Sequence, residues 1–509
     1  MRIYMLIYCM KRYILAFDCG TATLRVAIID ANGEIISIAQ QDVIQNFPQI
    51  GWVEQNPLSL WATQISLVER ALKQKRIAPN EIACIGIASQ RETVVMWEKE
   101  TGRPVHNAIS WQDRRTIDIC EAWKTAGYEE TIQKKTGLLI DPYFSASKIR
   151  WLFDHIPEAY TRALKGEILV GTIDTWLMWQ FSKGKHFVTD YTNASRTMLF
   201  NIKTLDWDDE ILNFMRIPRS CLPHIRPTMH NYGCIQTSSL AHHDVPILAV
   251  AGDQQAALFG SCCFRKGMTK NTYGIGAFLM MNTGNEQFYT KSGILSTVAW
   301  GTKKEATYAL EGPMFVSGGA ISWIKNNINL INDTFDSEYY SSRVSSSEGV
   351  YLVPAFVGIG APHWNMHARG AIFGINQHTC VYHIVRATLE SLGYQSRDVL
   401  EKIEEDSDIK IGELRADGGA IRNGLMLQFQ SDILGIPVVR PVNRERTVLG
   451  IAYMAGLQFG IWKSEKEIEA LFTVEKTFMP SVRDDKRERL YEGWKQALSY
   501  AAQWGNIGI

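Results

Sequence analysis

The chain has 509 residues, of which 46% are hydrophobic and 21% are charged. This length predicts two large domains, and the composition excludes a disordered or fibrous protein. Lys plus Arg equals Asp plus Glu, at 53 residues each, so the overall charge points neither to nucleic acid nor to an anionic membrane, and we expect a small-molecule partner.

The first twelve residues precede the first predicted strand. Residues 1–9 are apolar but few, and the basic residues Lys11 and Arg12 follow them, whereas a secretory signal places its basic residues first. We interpret residues 1–12 as an N-terminal extension or a misassigned start. No run of 18 or more uncharged apolar residues predicts a membrane span, and we expect a cytoplasmic protein.

The first half of the chain is predicted to be mixed α/β. Residues 13–17 form an apolar run, a Gly/Thr loop covers residues 18–23, and a second run at 25–30 leads through Asn32-Gly33 to a third at 34–39. This pattern predicts an antiparallel meander. Further along, periodicity predicts a buried strand at 82–88 and helices at 61–71, 148–155 and 175–181.

A related pattern recurs in the second half. A strand is predicted at 246–251, a second glycine loop stands at 274–276 between apolar runs, and a strand at 414–417 leads through Gly418-Gly419 into a helix at 420–434. We therefore expect two domains built on one plan, at residues 13–259 and 260–509. The nine cysteines contain no CxxC pair and are expected to be reduced thiols, with Cys262 and Cys263 packed in the core.

The nucleotide-binding motifs that are easiest to recognise are absent. The sequence has no GxxxxGK[ST] run and no GxGxxG after a strand, which excludes a P-loop and a Rossmann fingerprint. What remains is a set of glycine turns, each near an acidic or hydroxyl residue. Phosphoryl transfer uses such parts: backbone N–H groups around phosphate, a carboxylate for Mg²⁺ and a base for the attacking alcohol.

Two aspartates are candidates for this chemistry. Asp18 begins the turn Asp18-Cys19-Gly20-Thr21 and could hold a metal beside phosphate, although these residue types are also common in ordinary turns. Asp253 could act as a base, and it is equally well placed to be the N-cap of a helix at 254–260.

A third candidate is the pair Arg91-Glu92, which follows the strand predicted at 82–88. The pair could receive the hydroxyls of a polyol, or it could be a solvated ion pair on a loop. Trp111 and Phe278 could supply an apolar wall for such a ligand, and core packing explains each of them equally well.

Several longer stretches carry a family resemblance: GWVEQ (51–55), QRET (90–93), WEKETG (97–102), DPYFS (141–145), TDYTNASRTM (189–198) and AGDQQAALFG (251–260). From about residue 13 to its final helix, the chain resembles the glycerol kinases of the FGGY carbohydrate kinase family. The resemblance implies an α/β fold of two actin-like (ribonuclease-H-like) domains with a nucleotide and substrate cleft between them. It also implies transfer of the γ-phosphoryl group of ATP, with Mg²⁺, to glycerol, in glycerol uptake and catabolism, by a homodimer or homotetramer.

The resemblance also implies roles for individual residues. Asp253 would be the general base and Asp18 the magnesium ligand. The residues expected at glycerol are Arg91, Glu92, Tyr143, Asp253 and Gln254, with Trp111 and Phe278 as apolar neighbours. The residues expected at the nucleotide are Thr21, Ala22, Thr23, Arg25 and Ile275 near the phosphates, and Gly318, Ser322, Gly419 and Asn423 at the adenosine.

Three positions depart from the family's usual pattern. Ala22 and Ile275 replace residues with hydroxyls in the loops that usually read DQGTTSSR and YGTG, and Ser322 stands where glutamine is usual. All three lie on the nucleotide side. We therefore expect intact glycerol recognition with altered, weaker handling of ATP or slower turnover.

Three questions stay open at the level of sequence. Another FGGY kinase acting on a different polyol or sugar, and a weakly active or non-catalytic glycerol-binding sensor, are the alternative functions. His242 or His243 lies where some relatives carry a phosphorylated histidine, and an ordinary exposed loop histidine explains either one.

Overall fold

The computed structural model describes residues 12–505, so that nearly all of the predicted N-terminal extension at 1–12 lies outside the described residues. The first half is built on a five-stranded sheet. Its first three strands form the predicted antiparallel meander, and the fourth and fifth strands run parallel to the first on its other side. In chain order, the strands are Tyr13–Cys19, Thr23–Asp30, Ile35–Asp42, Ile82–Ser89 and Ile247–Gly252.

The second half repeats this plan in a seven-stranded sheet. Its central five strands have the same order and directions as the first sheet, with one antiparallel strand added at each edge. In chain order, the strands are Thr269–Tyr273, Ala277–Gly284, Leu295–Gly301, Ala306–Met314, Leu414–Asp417, Val438–Pro441 and Val474–Phe478. The recurrence that is weak in the sequence is therefore plain in the topology.

The remaining strands form smaller sheets. A five-stranded sheet contains Gln45–Asn46, Glu54–Gln55, Val94–Glu98, Ala108–Ile109 and Ile168–Thr172. Three two-stranded pairs join Val188–Asp190 to His224–Arg226, Phe200–Asn201 to Asp206–Trp207, and Tyr351–Val353 to Ala371–Phe373.

Helices pack against the sheets, and their apolar faces contribute to the hydrophobic core. The α-helices are Pro57–Lys75, Ile117–Thr125, Glu129–Thr136, Ser145–His155, Ala159–Leu164, Ile173–Phe181, Tyr191–Ala194, Asp209–Met215, Asp253–Gly260, Gly318–Asn326, Asp336–Ser342, Val381–Ser407, Gly424–Leu434, Arg446–Phe459, Glu465–Glu469 and Asp484–Gly505. Short 3₁₀ turns are found at Pro79–Glu81, Arg219–Cys221 and Gly419–Arg422.

The single helix predicted at 420–434 is wrong at its start. A 3₁₀ turn occupies Gly419–Arg422, and the α-helix begins only at Gly424. The cause is Asn423, whose side-chain oxygen accepts the backbone N–H of Met426 at 2.9 Å and caps the helix there.

Two helices connect the halves by an unusually close crossing. Asp253–Gly260 packs against Arg446–Phe459, which also lies on the first sheet although it comes between the last two strands of the second sheet in the chain. A Cβ atom on Gly450 would overlap the carbonyl oxygen of Ala256, and one on Gly260 would overlap that of Arg446. Only glycine permits this approach. The domain boundary that we expect at 259–260 stays a prediction.

Six of the eight cysteines between residues 12 and 505 are buried, and Cys262 and Cys263 are among them, as expected. In that same span, no helix is both long enough and apolar enough to cross a membrane.

Candidate active site

The candidate site lies where three parallel strands of the first sheet end. Tyr13–Cys19, Ile82–Ser89 and Ile247–Gly252 are neighbours that run in the same direction, so their carboxyl ends meet at one edge of the sheet. Asp18, Arg91 and Asp253 lie at these three ends. The Nε atom of Arg91 is 3.4 Å from Oδ1 of Asp253.

Asp253 is the first residue of its helix. The expectation that it caps a helix at 254–260 is wrong, because Gly252 is the N-cap and Asp253–Gly260 is the helix. Its Oδ1 accepts the backbone N–H of Gln254 at 2.7 Å, and its side chain is 21% exposed. Burial raises the pKa of Asp253 above its ordinary value, against the opposing charges of Arg91 and Lys270. The carboxylate is thus partly exposed, but it is also desolvated, which disfavours its charged form.

Arg91 and Glu92 are not a solvated loop pair, so that interpretation is wrong. Both are buried, at 2% and 1% exposure. Arg91 makes a two-point contact with Glu311, at 2.7 Å for each N–O pair, and its Nη2 also donates to the hydroxyl of Tyr143 at 3.5 Å. The two residues therefore have separate partners and do not form one ion pair.

Glu92 belongs to the other end of the same buried network. Its Oε1 accepts from Nε of Arg196 at 2.7 Å, and Arg196 Nη1 lies 3.1 Å from Oε2 of Glu311. Burial raises the pKa of Glu311, but the charges of Arg196 and Arg91 outweigh it and hold that pKa at about 2. For Glu92, burial outweighs the two arginines and the pKa is raised.

Sequence reasoning missed the roles of Arg196 and Glu311. Arg196 stands in the family stretch at 189–198, but nothing there identified its partner. Glu311 interrupts a small and apolar strand segment, and a charged residue in such a strand requires a buried partner of opposite charge. That signal could have identified Glu311 without naming Arg91.

Gln254 is held by a lysine from the second sheet. Lys270 donates to the side-chain oxygen of Gln254 at 2.6 Å and to the hydroxyl of Thr272 at 2.7 Å, and Thr272 in turn donates to Asp417 at 2.6 Å. Burial lowers the pKa of Lys270 to about 8, and burial also raises that of Asp417 to about 6. A second buried polar chain thus joins the two halves of the protein at the site.

The predicted apolar wall is an aromatic cluster. The ring of Trp111 stands edge-on to those of Tyr143 and Phe278, with centroids 5.6 and 5.9 Å apart. The guanidinium carbon of Arg91 lies 5.4 Å from the ring centroid of Phe278. Trp111, Tyr143 and Arg91 come from the first half of the chain and Phe278 from the second, so the predicted pocket residues from both halves are adjacent.

The first glycine loop connects two strands and contains the predicted metal ligand. Nη1 of Arg25 donates to Oδ2 of Asp18 at 3.0 Å. Burial raises the pKa of Asp18 to about 6, which the charge of Arg25 opposes and that of Asp253 reinforces. At the tip of the loop, Ala22 is exposed and Thr23 is half-buried.

The second glycine loop is closed against a helix. The carbonyl of Gly274 accepts the N–H of Gly318 at 3.0 Å, and the carbonyl of Ile275 accepts those of Ser317 and Gly319. The side chain of Ile275 is 37% exposed. Ser322 lies on the same helix, Gly318–Asn326, so three of the predicted nucleotide residues form one local unit.

The last two predicted adenosine residues lie at the turn after strand Leu414–Asp417. Gly419 is open, since an added Cβ would meet no atom within 4 Å. Asn423 is largely buried, and its side chain caps the following helix while its amide donates to Ser337 at 3.2 Å. Gly419 therefore leaves space for a ligand, whereas the side chain of Asn423 already has structural partners.

Two further observations concern metals and the histidines. Among residues 12–505 there is no cluster of three or more His, Cys, Asp or Glu side chains that could hold a metal ion by itself. Mg²⁺ in kinases is typically held by one or two carboxylates together with phosphate oxygens, and Asp18 fits that smaller ligand set. His242 and His243 are exposed in a turn.

Known proteins are similar to this chain in domain family, in sequence and in structure. Models described as the N-terminal and C-terminal domains of the FGGY family of carbohydrate kinases match residues 13–260 and 269–459. Glycerol kinase of Geobacillus sp. (strain WCH70) is 51% identical over 496 residues, 97% of this chain and 99% of that protein. Glycerol kinase 2 of Thermotoga maritima is 49% identical over 493 residues, again 97% and 99% of the two chains.

Solved structures agree with these matches. The glycerol kinase of Plasmodium falciparum with ADP has a TM-score of 0.87 at 34% identity, covering 96% of this chain and 98% of that one. A xylulose kinase from Lactobacillus acidophilus has a TM-score of 0.85 at 21% identity, covering 97% and 100%, and shows the fold alone. The two-domain actin-like fold and the family resemblance are both confirmed: the chain belongs to the FGGY family of carbohydrate kinases and is an ATP-dependent phosphotransferase.

Proposed function

We propose that the protein transfers the γ-phosphoryl group of ATP to a terminal hydroxyl of glycerol, giving sn-glycerol 3-phosphate and ADP in glycerol uptake and catabolism. The observation that carries the proposal is the pocket at the strand ends, where Asp253, Arg91, Tyr143 and Gln254 come together beside Trp111 and Phe278. Relatives near 50% identity over almost the whole chain are named glycerol kinases, which supports glycerol as the acceptor.

Asp253 is proposed as the general base. A carboxylate can take the proton of the attacking hydroxyl when it lies within hydrogen-bond reach and its pKa is moved toward the working pH. Burial moves the pKa of Asp253 in that direction, and its position as first residue of Asp253–Gly260 fixes the backbone that carries it. Arg91 keeps the carboxylate oriented and opposes its protonation.

The nucleotide is proposed to lie on the two glycine loops. Thr21, Thr23 and Arg25 would face its phosphates from the first loop, and the backbone around Ile275 and Gly318 from the second. Asp18 would hold Mg²⁺, which when bound offsets the negative charge of the phosphates. Arg25, already 3.0 Å from Asp18, opposes protonation of that buried carboxylate.

We also propose that the protein works in the cytoplasm as a homodimer or homotetramer. The first property fits the use of ATP, and the second rests on the family resemblance alone. Sedimentation of the purified protein distinguishes the two oligomeric states from a monomer.

A substrate panel tests the proposed function. ATP-dependent ADP release is measured with glycerol, longer polyols and ketoses, and the product formed from glycerol is identified by its stereochemistry. Glycerol is expected to give the highest kcat/KM, with sn-glycerol 3-phosphate as product. Faster turnover of a ketose would assign another substrate within the family, and glycerol binding without ADP release would indicate a sensor.

A further inference from the structure

A two-point contact at the polyol pocket crosses between the two halves of the chain. Glu311 lies on Ala306–Met314 in the second sheet, while Arg91 follows Ile82–Ser89 in the first. The two side chains are 0% and 1% exposed and form two hydrogen bonds of 2.7 Å each. This is a fully buried fork between a guanidinium and a carboxylate.

We propose that Glu311 is a positioning residue of the polyol pocket, fixing from the second domain the angle at which Arg91 presents its Nε to Asp253 and its Nη2 to Tyr143. The proposal rests on the proposed function of that pocket. Glu311 contacts both terminal nitrogens of Arg91, whereas Gln255 contacts Nη1 alone, at 3.3 Å. A two-point contact fixes the plane of a guanidinium, which a one-point contact does not.

The position of Glu311 is itself set by the second sheet. Its strand pairs on both sides, with Glu311 opposite Met280 on one neighbour and Leu295 on the other. Arg196 approaches the same carboxylate from the first half, at 3.1 Å. The direction of Arg91 therefore depends on how the second domain sits against the first.

Stability alone is a poor explanation of this arrangement. A buried ion pair often contributes little net stability compared with apolar side chains of similar volume. Its geometric specificity, in contrast, is directly useful where one guanidinium must face a carboxylate, a phenol and a ligand. Met280 lies on Ala277–Gly284, the strand that begins right after the second glycine loop, so the same sheet carries the support for the polyol pocket and a nucleotide loop.

The test compares Glu311→Asp with the wild-type protein. Aspartate keeps the charge but is one methylene shorter, so it cannot hold both nitrogens of Arg91 from the same backbone position. We expect the Kd and KM for glycerol to rise about tenfold, with the KM for ATP changing less than twofold. Glu390→Asp is the matched control, because Glu390 is also buried and pairs with Arg386 at 2.7 Å away from the pocket; it should leave glycerol affinity unchanged.

A double-variant comparison separates positioning from a general effect on folding. On an Arg91→Lys background, Glu311→Asp should add little further loss of glycerol affinity, since its effect acts through Arg91. Full additivity of the two changes would overturn the proposal, as would wild-type glycerol affinity in a folded Glu311→Asp protein.

Glu311→Gln is measured in parallel, and the unfolding temperature of each variant is recorded. Loss of folding in both Glu311 variants would also contradict the proposal, because a positioning role does not require Glu311 for folding. Failure of the proposed function would appear in the wild-type protein, which would not phosphorylate glycerol. Failure of the positioning role appears only in variants of an active wild type.

Discussion

The indole nitrogen of Trp111 donates a 2.8 Å hydrogen bond to the hydroxyl oxygen of Thr21. Trp111 is part of the aromatic wall at the proposed glycerol pocket, and Thr21 belongs to the first glycine loop. Because the hydroxyl oxygen accepts from Trp111, its own hydrogen is directed elsewhere and can be donated to a phosphate oxygen. Trp111 thus links the proposed glycerol pocket to the loop that is proposed to hold the nucleotide phosphates.

Trp111→Phe removes this donor while keeping an aromatic ring in the wall. A net hydrogen bond is worth about 1 kcal/mol, so we expect kcat/KM for ATP to fall roughly fivefold, with a smaller change in glycerol affinity. Steady-state kinetics with each substrate varied in turn measures both effects. Trp207→Phe removes a comparable indole hydrogen bond, to Pro223 at 2.9 Å, and should leave both constants unchanged.

The two departures in the glycine loops give a second prediction. Ala22 and Ile275 each put a side chain without a hydroxyl at a partly or fully exposed position of a loop. Restoring hydroxyls with Ala22→Thr and Ile275→Thr together should lower the KM for ATP or raise the turnover, while the KM for glycerol stays the same. If neither ATP constant changed, the hypothesis of weakened ATP handling would be abandoned.

The site residues at the ends of strands could be predicted from the sequence. Asp18, Arg91 and Asp253 each follow an apolar run, and parallel strands bring such positions together by topology. Glu311 could not be assigned in this way, because its partner is 220 positions away and local periodicity carries no information about such pairs. The contact between Lys270 and Gln254 joins a strand to a helix, and local periodicity does not encode that packing either.

Local details of helix starts were also beyond prediction. The sequence near Asp253 and near Asn423 contains one good capping residue each, yet the residue at 253 lies inside its helix and the one at 423 caps. In the first case the helix begins directly at the end of a strand, so the backbone of Gly252 occupies the cap position. Capping by Asn423 thus sets the second helix start, whereas tertiary position sets the first.

A third prediction concerns pH and Asp174. This aspartate is fully buried, accepts from the hydroxyls of Thr172 and Thr189, and lies near Asp190. Burial, reinforced by the charge of Asp190, raises its pKa from an ordinary 3.8 to about 7. The folded state therefore binds more protons than the unfolded state between these values, and this group makes stability fall as pH rises from about 4 to 7.

Asp174→Asn removes that titration. The free energy of unfolding of the variant minus that of the wild type should increase by an amount on the order of a few kcal/mol between pH 4 and pH 8. The variant thus becomes more stable relative to the wild type as the pH rises. Urea unfolding at a series of pH values measures this difference. Asp118→Asn, at an exposed position, serves as the control, and a difference for Asp174→Asn that did not vary with pH would contradict the prediction.

The fourth prediction concerns the helix crossing between the halves. Gly450→Ala places a methyl group where the carbonyl oxygen of Ala256 lies, and since the obstacle is backbone, the helices must separate. We expect the free energy of unfolding to fall by about 3 kcal/mol or more. Gly412→Ala is the matched change, because an added Cβ there meets nothing within 4 Å; equal stability of the two variants would show that the crossing tolerates separation.

Asp253, as the base that activates glycerol, is the residue on which the proposed mechanism depends most. Asp253→Asn keeps the size and shape of the side chain but cannot accept the proton. The decisive measurement is the rate of glycerol-dependent ADP release by this variant, made on protein shown by calorimetry to bind glycerol. We expect glycerol binding close to that of the wild type and a turnover lower by a factor of at least about 100; turnover within a few-fold of the wild type would contradict the role of Asp253 as the base.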